Sequence, residues 1–317
     1  KFSLPLLQWL NRHGPQYDIA HIHALFSPIC SAAAAVARWQ KLPYILRPLG
    51  TLDPADLAKK KQLKQIYAAL LERPNIQGAA ALHFTSKQEA KISERFGVKT
   101  RDVVLPLGVV LSKSSCSDIE AQHTIRQRYG ISEGLPIVLF MSRIDPKKGL
   151  DLLLPALTQL RYSGIAFHFI LSGGNPQDQS YVETINQQIK VSVLKDCTTV
   201  TDFVSGDLKT QILQAADIFV LPSYYENFGI AVAEAMMAGK PVVISDRVHI
   251  WQDIQTSQSG WVTGCKQTAV TQALTEALTD SAERRRRGGR GRTFAQENYG
   301  WDAIATRMLA QYRQLLN

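Results

Sequence analysis

No stretch of the chain reaches the roughly 18 consecutive apolar residues that a membrane-spanning helix needs. Cysteine is scarce. Cys30, Cys116, Cys197 and Cys265 lie far apart and form no C-x-x-C pair. That spacing argues against a zinc site and a disulfide framework, and it fits a reducing cytoplasm. No D-x-D pair occurs. The opening residues, KFSLPLLQWL, are interrupted by proline and glutamine and offer no small-residue cleavage site, so they are not read as a signal peptide. An initiating methionine is also missing. The chain opens on a helical pattern, where a doubly wound domain normally opens on a strand and a Gly-rich turn. The first domain is therefore expected to be N-terminally truncated.

What is present describes a globular protein. Its 317 residues predict two domains, and 45% apolar with 20% charged residues is ordinary for that class. The formal charge of +9 is unevenly spread. Residues 1–131 carry 18 Lys and Arg against 9 Asp and Glu, whereas residues 132–317 carry 18 of each. The excess is either a solvated basic surface or an attraction to something anionic, such as a membrane, a phosphorylated lipid or a nucleic acid.

Short apolar runs bounded by turn residues predict buried parallel strands. In the first half they are at 19–25, 44–49, 81–86 and 102–108. After a polar connector at Ser112–His123 they resume at 136–143, 166–173, 197–204, 217–223 and 241–246. Helical stretches fall between them. The pattern predicts an α/β protein of two doubly wound, Rossmann-like domains. Residues 1–131 form the first and 132–298 the second; a last helix, 299–317, packs back toward the first. The run ERRRRGGRGR at 283–292 holds six arginines. It is read as a solvated helix end closed by Gly288 and Gly289, not as a nucleic-acid site.

Three segments at predicted strand ends carry candidate chemistry. In LFMSRIDPKKGLDLLLPAL (139–157), Arg143 and Lys148 sit on a turn and suit phosphate oxygens. In FILSGGNPQD (169–178), Gly173 and Gly174 let the backbone approach a ligand. In YYENFGIAVAEAMMAGKPVV (224–243), Glu226 precedes a helix and Glu234 lies inside it. The N–H groups of Phe228, Gly229 and Ile230 at that helix start make an anion seat. Carboxylates repel phosphate but accept well from hydroxyls, so Glu234 suits a ribose and Glu226 a sugar ring. Such a ligand is a nucleoside-diphosphate sugar. The alternative is a dipole-favoured helix glutamate and a solvated loop glutamate.

The segment from Glu226 to Glu234 resembles the E-x7-E signature of the retaining GT-B glycosyltransferases of family 4. SRIDPKKGLDLLLPAL is similar to the family's G-R-x-x-x-x-K-G segment, with Ser142 where glycine is usual. AADIFVLPSYYENFG and EAMMAGKPVVISD also match, and DIAHIHALFSP, LRPLGTLDP and ALHFTSKQEA resemble acceptor-domain segments of polysaccharide-assembly members. PLGVVL at 106–111 departs from the family's P-N-G-V-D.

The resemblance implies that Arg143 and Lys148 bind the donor diphosphate and that Glu234 binds the ribose. It implies that Glu226, with the backbone of Asn227, Phe228 and Gly229, holds the transferred sugar, while the Ile230 N–H meets the distal phosphate. Phe203 and Val204 would contact the base, and His23 would approach the sugar from the first domain. The implied reaction is retaining, needs no metal or other cofactor, and moves a hexose, glucose first, from a UDP-sugar to a saccharide or lipid-linked acceptor in polysaccharide assembly. A sugar-nucleotide epimerase and a non-catalytic sugar-nucleotide binder are the alternatives. Lys59, Lys60, Lys61 and Lys64, with Arg47, are candidate contacts to an anionic membrane at its inner face.

Overall fold

The structure, a computed structural model, describes residues 3–111 and 117–317. Cys116 and the start of the expected connector, 112–116, lie outside them. The chain divides into two compact units, Lys1–Leu107 with Asp302–Asn317, and Gly108–Trp301. The units thus part at Leu107, where the sequence reading divides at 131. The residues before 131 are not mere connector. Ser117 and Glu120 form a reciprocal capping box that starts a helix at Asp118–Tyr129, and Gly130 closes it in the left-handed conformation.

The first unit holds four parallel strands in the order β1-β2-β3-β4: Ala20–His23, Tyr44–Arg47, Ala81–Phe84 and Asp102–Val104. One face buries Leu25, Tyr44, Leu46, Leu82 and Phe84. The other buries Ile45, Ala81, Val103 and Leu105, against which Met308, Tyr312 and Leu315 of the last helix, Trp301–Leu316, are packed. Each large side chain so buried stabilises by about 1.5–3 kcal/mol relative to exposure.

The second unit holds six parallel strands: β5 Ile137–Met141, β6 His168–Ser172, β7 Thr198–Thr201, β8 Ile218–Leu221, β9 Val242–Ser245 and β10 Gly260–Thr263. Their order is β10-β9-β8-β5-β6-β7. Counted from β5, that is the 3-2-1-4-5-6 order of dinucleotide-binding sheets, with its switch point between β5 and β8. β5, β6, β8 and β9 are buried throughout, as continuous apolar runs in parallel sheets require.

The arginine-rich run does not end a helix. One helix runs Ser281–Tyr299 through Gly288, Gly289 and Gly291. A Cβ on Gly288 would collide with the Gly239 carbonyl, so glycine is there for close packing, not for termination. The arginines hold neighbouring carbonyls. Arg284 donates to Ala277 O (2.7 Å) and Leu278 O (2.9 Å), capping the helix Gln267–Thr279. Arg292 donates to Ala238 O and Asp118, both at 2.9 Å. Arg287 lies over the Trp261 ring and bonds Gly260 O.

Candidate active site

Strands β5 to β8 deliver their loops to one edge of the second sheet. After β5 and β6 the backbones lock together: Ser142 N–H donates to Ser172 O (3.1 Å), and Gly173 N–H to Thr201 O (3.2 Å). Gly173 has φ +136°, and a Cβ there would strike the Ser142 carbonyl. No other residue type fits this crossing without displacement. Beyond it lies a cavity of about 550 Å³ lined by Arg143, Gly173, Phe203, Val204, Ile230 and Glu234, among others. Six positions chosen from sequence therefore share one cavity at the sheet's switch point, where open α/β sheets bind ligands. Phe203 is 82% exposed and Ile230 51%. Such exposure of large apolar groups beside a cavity suits a flat partner.

Glu234 is 9% exposed within the helix Ile230–Met237. A carboxylate so placed needs a partner, and Lys209 supplies it: its ammonium donates to Glu234 Oε1 at 2.6 Å. Lys209 also lines the cavity and belongs to the helix Gly206–Ala215, which follows the Phe203–Val204 loop. Sequence reasoning missed it. The available signal was position: Lys209 lies one turn past Gly206, so its side chain returns toward that loop.

Lys148 and Glu226 form a second ion pair. Two loops are fastened to bring them together. Tyr224 N–H donates to Lys147 O (2.8 Å), and the Tyr224 hydroxyl donates to Asp151 (2.7 Å). Glu226 is gripped from the other side, its N–H donating to Arg247 O (3.1 Å) and its carbonyl accepting from His249 N–H (3.0 Å). Side-chain exposures of 12% for Lys148 and 22% for Glu226 leave both reachable. Asn227 is half-buried and next in line. Phe228 is 2% exposed, with its ring edge-on to Tyr299 at 5.4 Å, so only its backbone is available to a ligand. Gly229, at φ +86°, turns the chain into the helix, and Ile230 begins it.

His23 ends β1 in the first unit and is exposed. Partial desolvation of its ring by the surrounding groups, and then the charge of Arg47, lower its pKa. Beneath it lies a polar chain. His83 Nε2 is 2.9 Å from the Leu105 carbonyl, so it must donate; neutral His83 then accepts at Nδ1 from His21 Nε2 (3.2 Å), and His21 Nδ1 accepts from the Tyr312 hydroxyl (2.7 Å). Burial is the main cause that lowers His21 to about 3 and His83 to about 4. Among the described residues no group of three or more His, Cys, Asp or Glu is placed to hold a metal ion, and Cys30, Cys197 and Cys265 are free.

Comparison with known proteins agrees with this architecture. Residues 121–294 match the family model Glycosyl transferases group 1, and residues 1–108 match a Glycosyl transferase 4-like domain. The chain belongs to the group 1 glycosyl transferases. It is 28% identical over 195 residues to an uncharacterized glycosyltransferase of Methanocaldococcus jannaschii, covering 61% of this chain but only about half (49%) of that relative's length. It is 28% identical over 305 residues to the D-inositol 3-phosphate glycosyltransferase of Xylanimonas cellulosilytica, covering 94% of this chain and 72% of that one. Among solved structures, Anabaena HepE in complex with UDP-glucose has the same fold. Its TM-score is 0.77 at 20% identity, covering 98% of this chain and 82% of that one.

Proposed function

We propose that this protein transfers a hexose, glucose first, from a UDP-sugar to a saccharide or lipid-linked saccharide, with retention at the anomeric carbon. The observation that carries the reading is the cavity at the switch point of the second sheet. It sets a carboxylate for hydroxyls, Glu234, in one space with a guanidinium for phosphate, Arg143, and an exposed aromatic for a base, Phe203. Glu226 takes the hydroxyls of the transferred sugar. Lys148, already bonded to Glu226, bridges that sugar to the diphosphate.

In the reaction the bond from C1 to the phosphate oxygen breaks as the bond from C1 to the acceptor oxygen forms on the same face. The acceptor proton passes to a leaving phosphate oxygen. Negative charge growing on the diphosphate is opposed by Arg143, Lys148 and the N-terminus of the helix Ile230–Met237. His23 is kept as a catalytic candidate on the family resemblance alone. A lipid-linked acceptor places the protein at the inner face of a membrane, and among the described residues no helix is long and apolar enough to cross one.

Calorimetric titration with UDP, UDP-glucose and other sugar nucleotides tests the donor, and NMR of the product tests the anomeric outcome. Binding of UDP-glucose with a new α-glycoside is expected. A protein that only binds or epimerises the donor forms no glycoside, and no affinity for any UDP-sugar overturns the assignment of donor.

A further inference from the structure

The helical segment from Lys61 to Glu72 in the first unit presents its apolar face outward. Leu63 is 64% exposed, Ile66 61%, Leu70 69% and Leu71 43%. Leu63, Ile66 and Leu70 are spaced three and four apart, so they form one stripe. The helix is not loosely placed. Its inner side is fixed by Glu72, 1% exposed, whose carboxylate accepts from Phe26 N–H (2.6 Å) and the Ser31 hydroxyl (2.8 Å). Ser31 also bonds the Tyr67 hydroxyl at 2.9 Å. A π turn at Ala68–Glu72 shifts the register, so that Ala68 and Glu72 face inward while Leu70 and Leu71 stay out. The core side of the helix is thus complete without the leucines. Four large aliphatic groups exposed within nine positions mark a contact surface.

Charge says what the surface meets. Lys59, Lys60 and Lys61 are exposed at the start of the stripe and Arg73 at its end. Lys59 and Lys64 share Asp56 (3.1 and 2.6 Å), whereas Lys60 and Lys61 pair with no carboxylate among the described residues. The first unit carries 17 Lys and Arg against 8 Asp and Glu, and the second carries 19 of each, so the whole surplus of nine lies in the unit that bears the stripe. A second copy docked through the same patch would set cations against cations at either end, because both ends are basic. An anionic bilayer accepts both features at once: leucines into the acyl boundary, lysines among the headgroups.

We infer that Leu63, Ile66, Leu70 and Leu71, rimmed by Lys60, Lys61 and Arg73, dock this protein in the plane of an anionic lipid surface. This deepens the lipid-linked acceptor reading by naming the docking face, but vesicle binding needs neither donor nor acceptor, so the two fail separately. The test is co-sedimentation of the full chain with vesicles of phosphatidylcholine alone or mixed with phosphatidylglycerol. Binding is expected on the mixed vesicles only, falling as salt rises. Lys60→Gln with Lys61→Gln should weaken it about fivefold per lysine, and Leu63→Ser with Leu70→Ser should abolish it with an unchanged circular dichroism melt. Ile66→Trp should add fluorescence that acyl-brominated lipid quenches. No sedimentation on anionic vesicles at low salt, or no added quenching, overturns the proposal. So does a lipid-free dimer in analytical ultracentrifugation that Leu70→Ser dissociates.

Discussion

The Lys148 ammonium bonds the Glu226 carboxylate across 78 positions of sequence. Neither residue is fully exposed, so each keeps the other's charge compensated. Lys148→Ala should therefore do two things. A charge-assisted phosphate contact worth about 1.5–3 kcal/mol is lost, which predicts at least tenfold weaker UDP binding in calorimetry. Glu226 is also left without its cation, so the melting temperature should drop, unlike a change at an exposed turn lysine such as Lys147. Unchanged UDP affinity would remove Lys148 from the donor site.

The two glutamates should fail differently. Glu234, assigned to the ribose, lines one cavity with Phe203 and Val204, assigned to the base, so Glu234→Ala should weaken UDP and UDP-glucose alike. Glu226 is assigned to the sugar, so Glu226→Ala should spare UDP and lower turnover. Lys209 bonds Glu234 at 2.6 Å, so Lys209→Met should resemble Glu234→Ala and Lys209→Arg should recover part of the loss. Equal loss of UDP affinity at both glutamates would break this division.

Most of the site was legible because the chemistry sits at strand ends, and strands with both faces buried read as plain apolar runs. Nine of the strands stand where such runs predicted them. The tenth, Gly260–Thr263, was missed because its apolar run is only Trp261 and Val262 and it begins with a residue strands disfavour. The helix Asp118–Tyr129 was missed although Ser117 and Glu120 spell a capping box, because its polar composition resembles a connector. The glycines at 288 and 289 misled for another reason. Gly288 is required by a carbonyl 49 residues away in sequence, that of Gly239, and no local pattern records it; a Cβ on Gly289 would meet nothing within 4 Å. Lys209 escaped similarly, since its partner is in another helix.

Gly173→Ala should be among the most damaging single-methyl additions in the second unit. It combines a φ of +136° with a collision against the Ser142 carbonyl, and neither can relax without separating the β5 and β6 loops. The cost expected is above about 2 kcal/mol in urea unfolding, with weakened UDP binding. Gly174→Ala next to it meets nothing within 4 Å and is the control. Equal tolerance of both would show that the crossing is not rigid.

The histidine chain gives the protein an acid limit. His21 is lowered to about 3 and His83 to about 4, mainly by burial, and in the second unit burial lowers His168 to about 4, with Arg126 adding to it. In the unfolded chain these imidazoles titrate near pH 6.5. Between that value and their folded pKa values the unfolded chain binds more protons, so stability rises with pH across the window. It is fully present above about pH 6.5 and is lost progressively toward pH 3–4. Protonating His83 Nδ1 also turns the acceptor of the His21 N–H into a donor, and protonating His21 Nδ1 does the same against the Tyr312 hydroxyl. The Tyr312 hydroxyl on the last helix, packed against Ile45, Ala81, Val103 and Leu105, can accept as well as donate, so that bond reverses direction, whereas the bond between His83 and His21 is lost. Tyr312→Phe removes the hydroxyl at neutral pH and should cost about 1 kcal/mol there. Urea unfolding at pH 7.5, 6, 5 and 4.5 should show stability falling steadily on the acid side. His83→Gln and His168→Gln should each flatten that slope. A stability curve with no change between pH 6.5 and 4.5 in the unaltered protein would mean that the three imidazoles titrate alike in the folded and unfolded chain.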